Sequence, residues 1–224
     1  MVWTFDEIAA RAARKISSEN LVSLGIGLPT KVANHVDRTG PVMIHSANGV
    51  LGLMSPNQNG TPIDRVANAE GMPSAIRSGG SVFDINSSVT MMRGGHIDVA
   101  ILEATEVDQG GNLAISQTKD LQNFGIGSSM DLLVGARRVL VCMPHTNDDG
   151  TPKLVAKCGL PLDAHQAVNM VITPMGVFEI HDEHFHLIEL APEVTWQEVC
   201  ANTAGAVVDD LQTLIRSGMP DNTK

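Results

Sequence analysis

Tyrosine is absent from this chain, and aromatic residues make up only 3% of its 224 positions. There is no supply of rings on which nucleic-acid bases could stack. Runs of Lys or Arg are also missing. Fifteen basic residues stand against 25 acidic ones, for a formal charge of −10. Attraction to nucleic acid or to an anionic membrane therefore has no electrostatic basis. No apolar run reaches membrane-spanning length. Cysteine is scarce: Cys142, Cys158 and Cys200 are scattered and odd in number. They form no C-x-x-C pair and no metal spacing, so a reducing cytoplasm is the expected setting. The opening "MVWTFDEIAARAARKI" is an amphipathic helix pattern with acids near its start, not a signal peptide.

What is present is a core-forming chain with 43% hydrophobic residues and 21 glycines. That is enough for one domain over residues 1–224. Apolar spacing predicts a helix over 5–18. "NLVSLGIGLPTKVANHV" reads as a strand, a glycine turn and a helix starting near Pro29, with Thr30 able to cap locally. "PVMIHSANGVLGL" reads as a second strand ending in a turn. "HIDVAILEATEVD" reads as one strand buried on both faces. "MDLLVGARRVLVCMPHT" predicts the end of a helix and another buried strand. "AVNMVITPMGVFEIHDEHFHLIELAP" predicts three short strands with hairpin turns, and "TWQEVCANTAGAVVDDLQTLI" a terminal helix or pair. The long loop "PNQNGTPIDRVANAEGMPSAIRSGG" has the length that marks functional loops. Buried strands alternating with helices predict an α/β fold: an open, largely parallel sheet with helices on both faces.

Five places carry polar chemistry. Gly25 and Gly27, between a strand and a helix start, expose backbone N–H groups suited to a phosphate or carboxylate, though such turns also serve tight packing alone. In "HSANGVLG" the small residues, Gly49 and Gly52 among them, let backbone approach a ligand, yet Ala47 at the centre is chemically inert. In "RGGHID", His96 is either an acid–base group or a turn histidine bonded to backbone, and Arg93 either meets an anion or pairs with an acid. Glu103 stands in an otherwise apolar strand, so its carboxylate must lie at the strand's end, be paired or be shifted. In "EIHDEHFHLIEL", His184 and His186 share a strand face, with His181 nearby. No third ligand stands at metal spacing, so an exposed polar hairpin is the expected reading and no metal is assigned.

Taken together, "LVSLGIGLPTKVANHV", "HSANGVLGL", "SSVTMMRGGHIDVAILEATEVDQGGNLA", "GSSMDLLVGARRVLVCMPHT" and "PKLVAKCGLPLD" resemble the β subunit of class I, 3-oxoacid-type CoA-transferases over about residues 5–200. The resemblance implies that fold, an α subunit partner in a heterodimer or heterotetramer, and an active site at their interface. It implies a CoA thioester as substrate, with no tightly bound cofactor. It also implies a nucleophilic glutamate in a Ser-Glu-Asn-Gly turn, which attacks an acyl-CoA and passes through a glutamyl-CoA thioester.

At that glutamate's position stands Ala47, flanked by Ser46, a weak nucleophile without a base, and Asn48, which donates hydrogen bonds but does not attack. Three further features depart from the pattern. Met54 takes the second glycine of the family's Gly-x-Gly-Pro. Glu103 takes the place of a glycine. Ile115-Ser116 replaces Asn-Trp. Coordinated departures argue for a site with a changed task rather than a single engineered substitution. The expectation is a divergent acyl-CoA enzyme (hydrolase, C–C lyase or decarboxylase) with Glu103 as the relocated carboxylate. The alternatives are a genuine acyl-CoA:carboxylate transferase altered at Ala47, and a non-catalytic partner of the α subunit. The turns at Gly25, Gly27, Gly49 and Gly52, with Met54, Arg93 and His96, are the expected contacts of the CoA ester.

Overall fold

The structure, a computed structural model, describes residues 2–16, 21–37, 39–55, 66–117 and 127–211. Helix α1, Phe5–Arg14, opens on a capping box: Glu7 N–H donates to Thr4 Oγ1, and the Thr4 N–H donates back to the Glu7 carboxylate. It stops at Lys15, earlier than its apolar spacing predicts, and residues 17–18 of the expected helix lie outside the described ones. Strand β1, Leu21–Leu24, is followed by a 3-10 helix, Leu28–Asn34, in place of the expected α-helix. Then come β2 (Met43–Ser46), β3 (Val50–Met54), β4 (Ala75–Val82), α2 (Ile85–Arg93), β5 (Val99–Leu102), β6 (Glu106–Asp108) and β7 (Leu113–Ala114). The chain continues with α3 (Ser129–Gly135), β8 (Arg138–Cys142), β9 (Leu154–Val155), β10 (Met170–Ile172), β11 (Gly176–His181), β12 (His184–Leu190), α4 (Trp196–Asn202) and β13 (Val207–Asp209).

Ten strands form one sheet in the order β13-β12-β11-β10-β8-β5-β1-β2-β3-β4. Its centre, β10-β8-β5-β1-β2, is parallel, and antiparallel hairpins extend it on both sides. Every residue of the central strand β5, "VAIL", is apolar and buried, whereas β1 and β2 carry the buried polar residues Ser23, His45 and Ser46. From β1 the chain steps through the 3-10 helix to β2, on one side. From β5 it steps through α3 to β8, on the other. Right-handed crossovers running in opposite directions place their helices on opposite faces. Accordingly α1 packs on the 3-10 helix, β8 and β10, whereas α2 packs on α3, which lies on β5.

Further expected elements differ: the end of the long loop expected over 56–80 is strand from Ala75 on, where β4 pairs with β3, and residues 56–65 of that loop lie outside the described ones. "VAILEATEV" is not one strand: it breaks after Leu102, and β6 joins a separate small sheet ordered β7-β6-β9. A carboxylate at 103 cannot continue a strand buried on both faces, so the chain leaves the sheet there. The expected second terminal helix is replaced by β13, which pairs parallel with β12 through Val207, Val208 and Asp209; the residues beyond Leu211 lie outside the described ones.

Candidate active site

In an open parallel sheet, ligands gather at the carboxyl ends of the strands, where the strand order reverses. Here β1 is flanked by β2 and β5, the strands at which the chain turns to either side. Directly after their carboxyl ends come Gly25–Leu28, Ala47–Gly49 and Glu103. The topology thus brings together three of the five polar stretches picked out from the sequence.

The turn after β1 has an unusual backbone. Gly27 has φ 82° and ψ −140°, a region that side chains strongly disfavour. Gly25 N–H continues the sheet by donating to Ile101 O at 2.8 Å. Two further amides of the turn are taken by side chains. Leu28 N–H donates to Glu103 Oε2 at 2.9 Å, and Gly27 N–H donates to Glu70 Oε1. Two carboxylates therefore sit on consecutive amides. Thr30 does not cap the 3-10 helix, whose N-cap is Gly27 with no side-chain cap; its Oγ1 instead donates to Gly27 O at 2.8 Å and lies 3.2 Å from Glu70 Oε2. A Cβ on Gly27 would come within 2.1 Å of Glu103 Oε2, so the glycine and the glutamate fit only together. The amides expected to meet an anionic ligand hold the chain's own carboxylates.

The turn after β2 closes by Gly49 N–H donating to Ser46 O at 2.9 Å, with Gly49 at φ 99°. Any side chain at 49 would strike Phe83 O, 2.2 Å from its Cβ. Ala47 is buried, its methyl in the core cluster. Its carbonyl accepts from Ser88 Oγ at 2.8 Å. Ser88 Oγ lies 3.1 Å from His45 Nε2, and His45 Nδ1 lies 3.0 Å from Ser23 Oγ. Since the Ser88 hydroxyl proton goes to Ala47 O, Ser88 accepts from His45 Nε2–H, and Nδ1 accepts from Ser23. Burial drives His45 down to about 4, which keeps the ring neutral and this chain intact. Ser46 is buried, while exposed Asn48 donates from Nδ2 to Ala67 O at 2.8 Å. Gly52, at φ 78°, sits at a bulge in β3 opposite β4.

A cleft of about 340 Å³ opens beside these turns, walled by Leu24, Thr30, Ser46, Met54, Glu70 and Met72 among others. Exposed Lys31 also lines it and offers a positive charge. Neither Glu103 nor Ala47 is among its lining residues. Glu70 is the carboxylate that reaches the open space. Behind Glu103 lies Lys153, whose ammonium is pushed down by burial and back up by Glu103, Asp148 and Glu106.

Arg93 and His96 are not part of this assembly. Both precede β5, at the end opposite Glu103. Arg93 Nη1 pairs with Asp131 Oδ1 at 2.9 Å, and His96 is exposed. The stretch holding Ile115 and Ser116 is pinned elsewhere, by the Asp163 carboxylate, which accepts from both backbone N–H groups at 2.6 and 2.8 Å. Sequence reasoning alone does not find Glu70, Ser23, Ser88 or Lys153. Glu70 sits in the long loop singled out for its length, the one signal available; the other three depend on contacts distant in sequence.

The family described as Coenzyme A transferase matches residues 5–202. This chain belongs to the coenzyme A transferase family. It is 38% identical over 209 residues to the beta chain of the acetate CoA-transferase of Haemophilus influenzae, covering 92% of this chain and 93% of that one. It is equally 38% identical to one of the subunits of the succinyl-CoA:3-ketoacid coenzyme A transferase of Helicobacter pylori, over 88% of this chain and 95% of the other. Among solved structures, it superposes on the acyl-CoA transferase apoenzyme of Escherichia coli with a TM-score of 0.73 at 18% identity. That match covers 92% of this chain and 42% of the larger one. The decarboxylase AibA/AibB superposes with a TM-score of 0.63 at 18% identity, covering 92% and 86% of the two chains. At that identity the two structures share the fold alone. The family is the one the quoted motifs resemble. Among the described residues, no helix is long and apolar enough to cross a membrane.

Proposed function

We propose that this chain is the β subunit of a heteromeric enzyme that acts on an acyl-CoA thioester without a covalent bond between the acyl group and this subunit. The supporting observation is the placement of carboxylates. Glu103 is fixed on the Leu28 N–H and Glu70 on the Gly27 N–H, whereas the neighbouring turn holds at its centre the buried methyl of Ala47 and no carboxylate. By the resemblance, Ala47 stands where the transferases carry their nucleophile. A methyl cannot attack a thioester, Ser46 is buried with no base bonded to it among the described residues, and the Asn48 amide is committed to Ala67 O.

A carboxylate oriented by a backbone N–H keeps further lone pairs for a proton, the equipment of a general base. Glu103 fills that role in this reading, with Glu70 at the cleft wall beside it. Hydrolysis, decarboxylation and C–C cleavage are the reaction classes such a base serves once the thioester carbonyl is polarised by backbone donors. An α subunit of similar fold completes the site, as the names of the relatives, each one chain of a multi-chain enzyme, suggest.

The test is reconstitution with the α subunit and a mass-spectrometric screen of CoA thioesters. Glu103→Gln should lower kcat by about 10²–10⁴ with KM little changed. Near-normal turnover in that variant removes Glu103 from the mechanism. An acyl or CoA adduct on a carboxylate of this subunit refutes the non-covalent reading. Such an adduct would favour the second reading, a CoA-transferase, for which the 38% identity to a named transferase chain speaks. Ala47→Glu discriminates further: CoA exchange between acyl-CoA and carboxylates appearing only on that substitution marks a lost transferase site.

A further inference from the structure

At the far edge of the sheet lies a group of donors that the acyl-CoA chemistry leaves unused. β11 and β12 are joined through Asp182 and Glu183, both at positive φ, and β13 runs beside β12. The sequence predicts an exposed polar hairpin here, with His184 and His186 sharing a strand face. The structure selects a different pair. His184 Nδ1 lies 2.6 Å from Asp182 O, and its ring is edge-on to His186 at 6.2 Å. His181 instead stacks on His186, with centroids 3.4 Å apart and planes 20° from parallel. The register explains it: His181 pairs with His184 and Glu179 with His186, so His181 is the diagonal neighbour of His186 on the same face.

The third member comes from beyond β13. Asp210 Oδ2 lies 2.7 Å from His186 Nδ1. One donor atom each from His181, His186 and Asp210 falls within 4.8 Å of the others. His186 is 9% exposed, and its Nε2 is buried without a hydrogen-bond partner among the described residues.

We propose that His181, His186 and Asp210 bind one divalent transition-metal ion of the zinc class. Two imidazoles and one carboxylate are a common donor set for such ions, with metal–ligand distances of about 2.0–2.2 Å. The stacked rings keep their in-plane lone pairs nearly parallel, so binding requires the exposed His181 ring to turn off His186 and aim a nitrogen at the shared ion. His181 is exposed, so water has access to the remaining coordination position. The ion would tie the β11–β12 hairpin to the segment after β13, a strand otherwise held by a three-residue pairing. Nothing in this site touches the cleft, so the inference stands apart from the proposed reaction.

The test uses full-length, tag-free protein stripped with a chelator. Zn²⁺ is titrated in competition with a chromogenic chelator, and Co²⁺ is added to a second sample. One equivalent of tight Zn²⁺, with visible Co²⁺ bands of four-coordinate intensity, is expected. His181→Gln and Asp210→Asn should each weaken binding by at least about tenfold, whereas His184→Gln should leave it unchanged. Saturating Zn²⁺ should raise the wild-type melting temperature by several degrees and that of His181→Gln by much less. The absence of a bound equivalent in the wild type overturns the proposal without any variant. So does unchanged affinity in folded His181→Gln, a change at an exposed position.

Discussion

Acid should unfold this protein through two buried histidines before it reaches the carboxylates. Burial drives His45 and His145 each down to about 4, from an ordinary value of 6.5. His145 is held between Thr173 Oγ1 at 2.9 Å and Thr203 Oγ1 at 3.0 Å, far along the chain from His45. A folded value below the unfolded one means that the unfolded chain takes the proton first. The stabilisation is therefore complete above pH 6.5 and is lost as the pH falls towards 4. At about 1.4 kcal/mol per pH unit, each histidine contributes roughly 3 kcal/mol over that window. The pair together is comparable to much of a domain's total of about 5–15 kcal/mol.

The helix-cap carboxylates Glu7, Asp84 and Glu198 are lowered by their cap hydrogen bonds. Their contribution is lost only as the pH falls below ordinary carboxylate values of 4.5 and 3.8, so the higher window belongs to the histidines. Urea unfolding at a series of pH values from about 7.5 to 5 measures the slope, which should approach two protons per molecule, roughly 2.7 kcal/mol per pH unit. His145→Gln should halve the slope whatever it does to absolute stability. A wild-type slope below one proton would refute the claim that both rings are buried neutral.

Gly27→Ala should destabilise by about 1–3 kcal/mol from its positive φ alone, and should depress activity as Glu103→Gln does, because its Cβ would displace Glu103 Oε2. In a double-mutant cycle, Glu103→Ala should cost less in the Gly27→Ala background than in wild type; additive effects would contradict the contact. Ser88→Ala should cost about 1–3 kcal/mol in urea unfolding by stranding the buried Ala47 carbonyl and His45 Nε2–H, and a neutral result would break the proposed chain. With a thiol reagent at mildly alkaline pH, exposed Cys200 should react in the native state. Cys158, pushed up to about 12, and fully buried Cys142 should wait for unfolding; fast labelling of all three would show the core to be open.

The parts of the fold legible in sequence are those where one local rule dominates. "VAIL" and "VLVC" are apolar runs whose burial on both faces leaves strand as the reading. The break at Glu103 is harder to see, since apolar residues resume after it and only the cost of burying a charge signals the change of direction. The strand β13 is invisible because "VVD" is short and its partner lies more than twenty residues back in the chain. At the site, glycines and the inert Ala47 stand out as local oddities. The Ser23–His45–Ser88 chain does not, since it joins two strands and a helix with no shared motif. His184 looks like the partner of His186 because i,i+2 spacing ignores hairpin register, which here decides that His181 is the ring it meets.

The two carboxylates at Gly27 bear on how such a site would take its substrate. Backbone N–H groups in a glycine turn after a strand are natural donors to an anion or a developing oxyanion. Here both are already engaged, so a ligand can use them only by displacing a side chain. The two occupants are not equally held. Glu103 follows directly on a buried strand, and the absence of a Cβ at Gly27 makes its seat. Glu70 is exposed, comes from a loop and is steadied chiefly by Thr30. Under the proposed reading, Glu70 is therefore the group that gives way, freeing the Gly27 N–H for the thioester oxygen while Glu103 stays in place as base. Glu70→Gln should then weaken the competition for that N–H and alter KM more than kcat, whereas Glu103→Gln should do the reverse. Equal effects of the two variants on kcat would mean that both carboxylates act on the reacting atoms, and would end the division of roles.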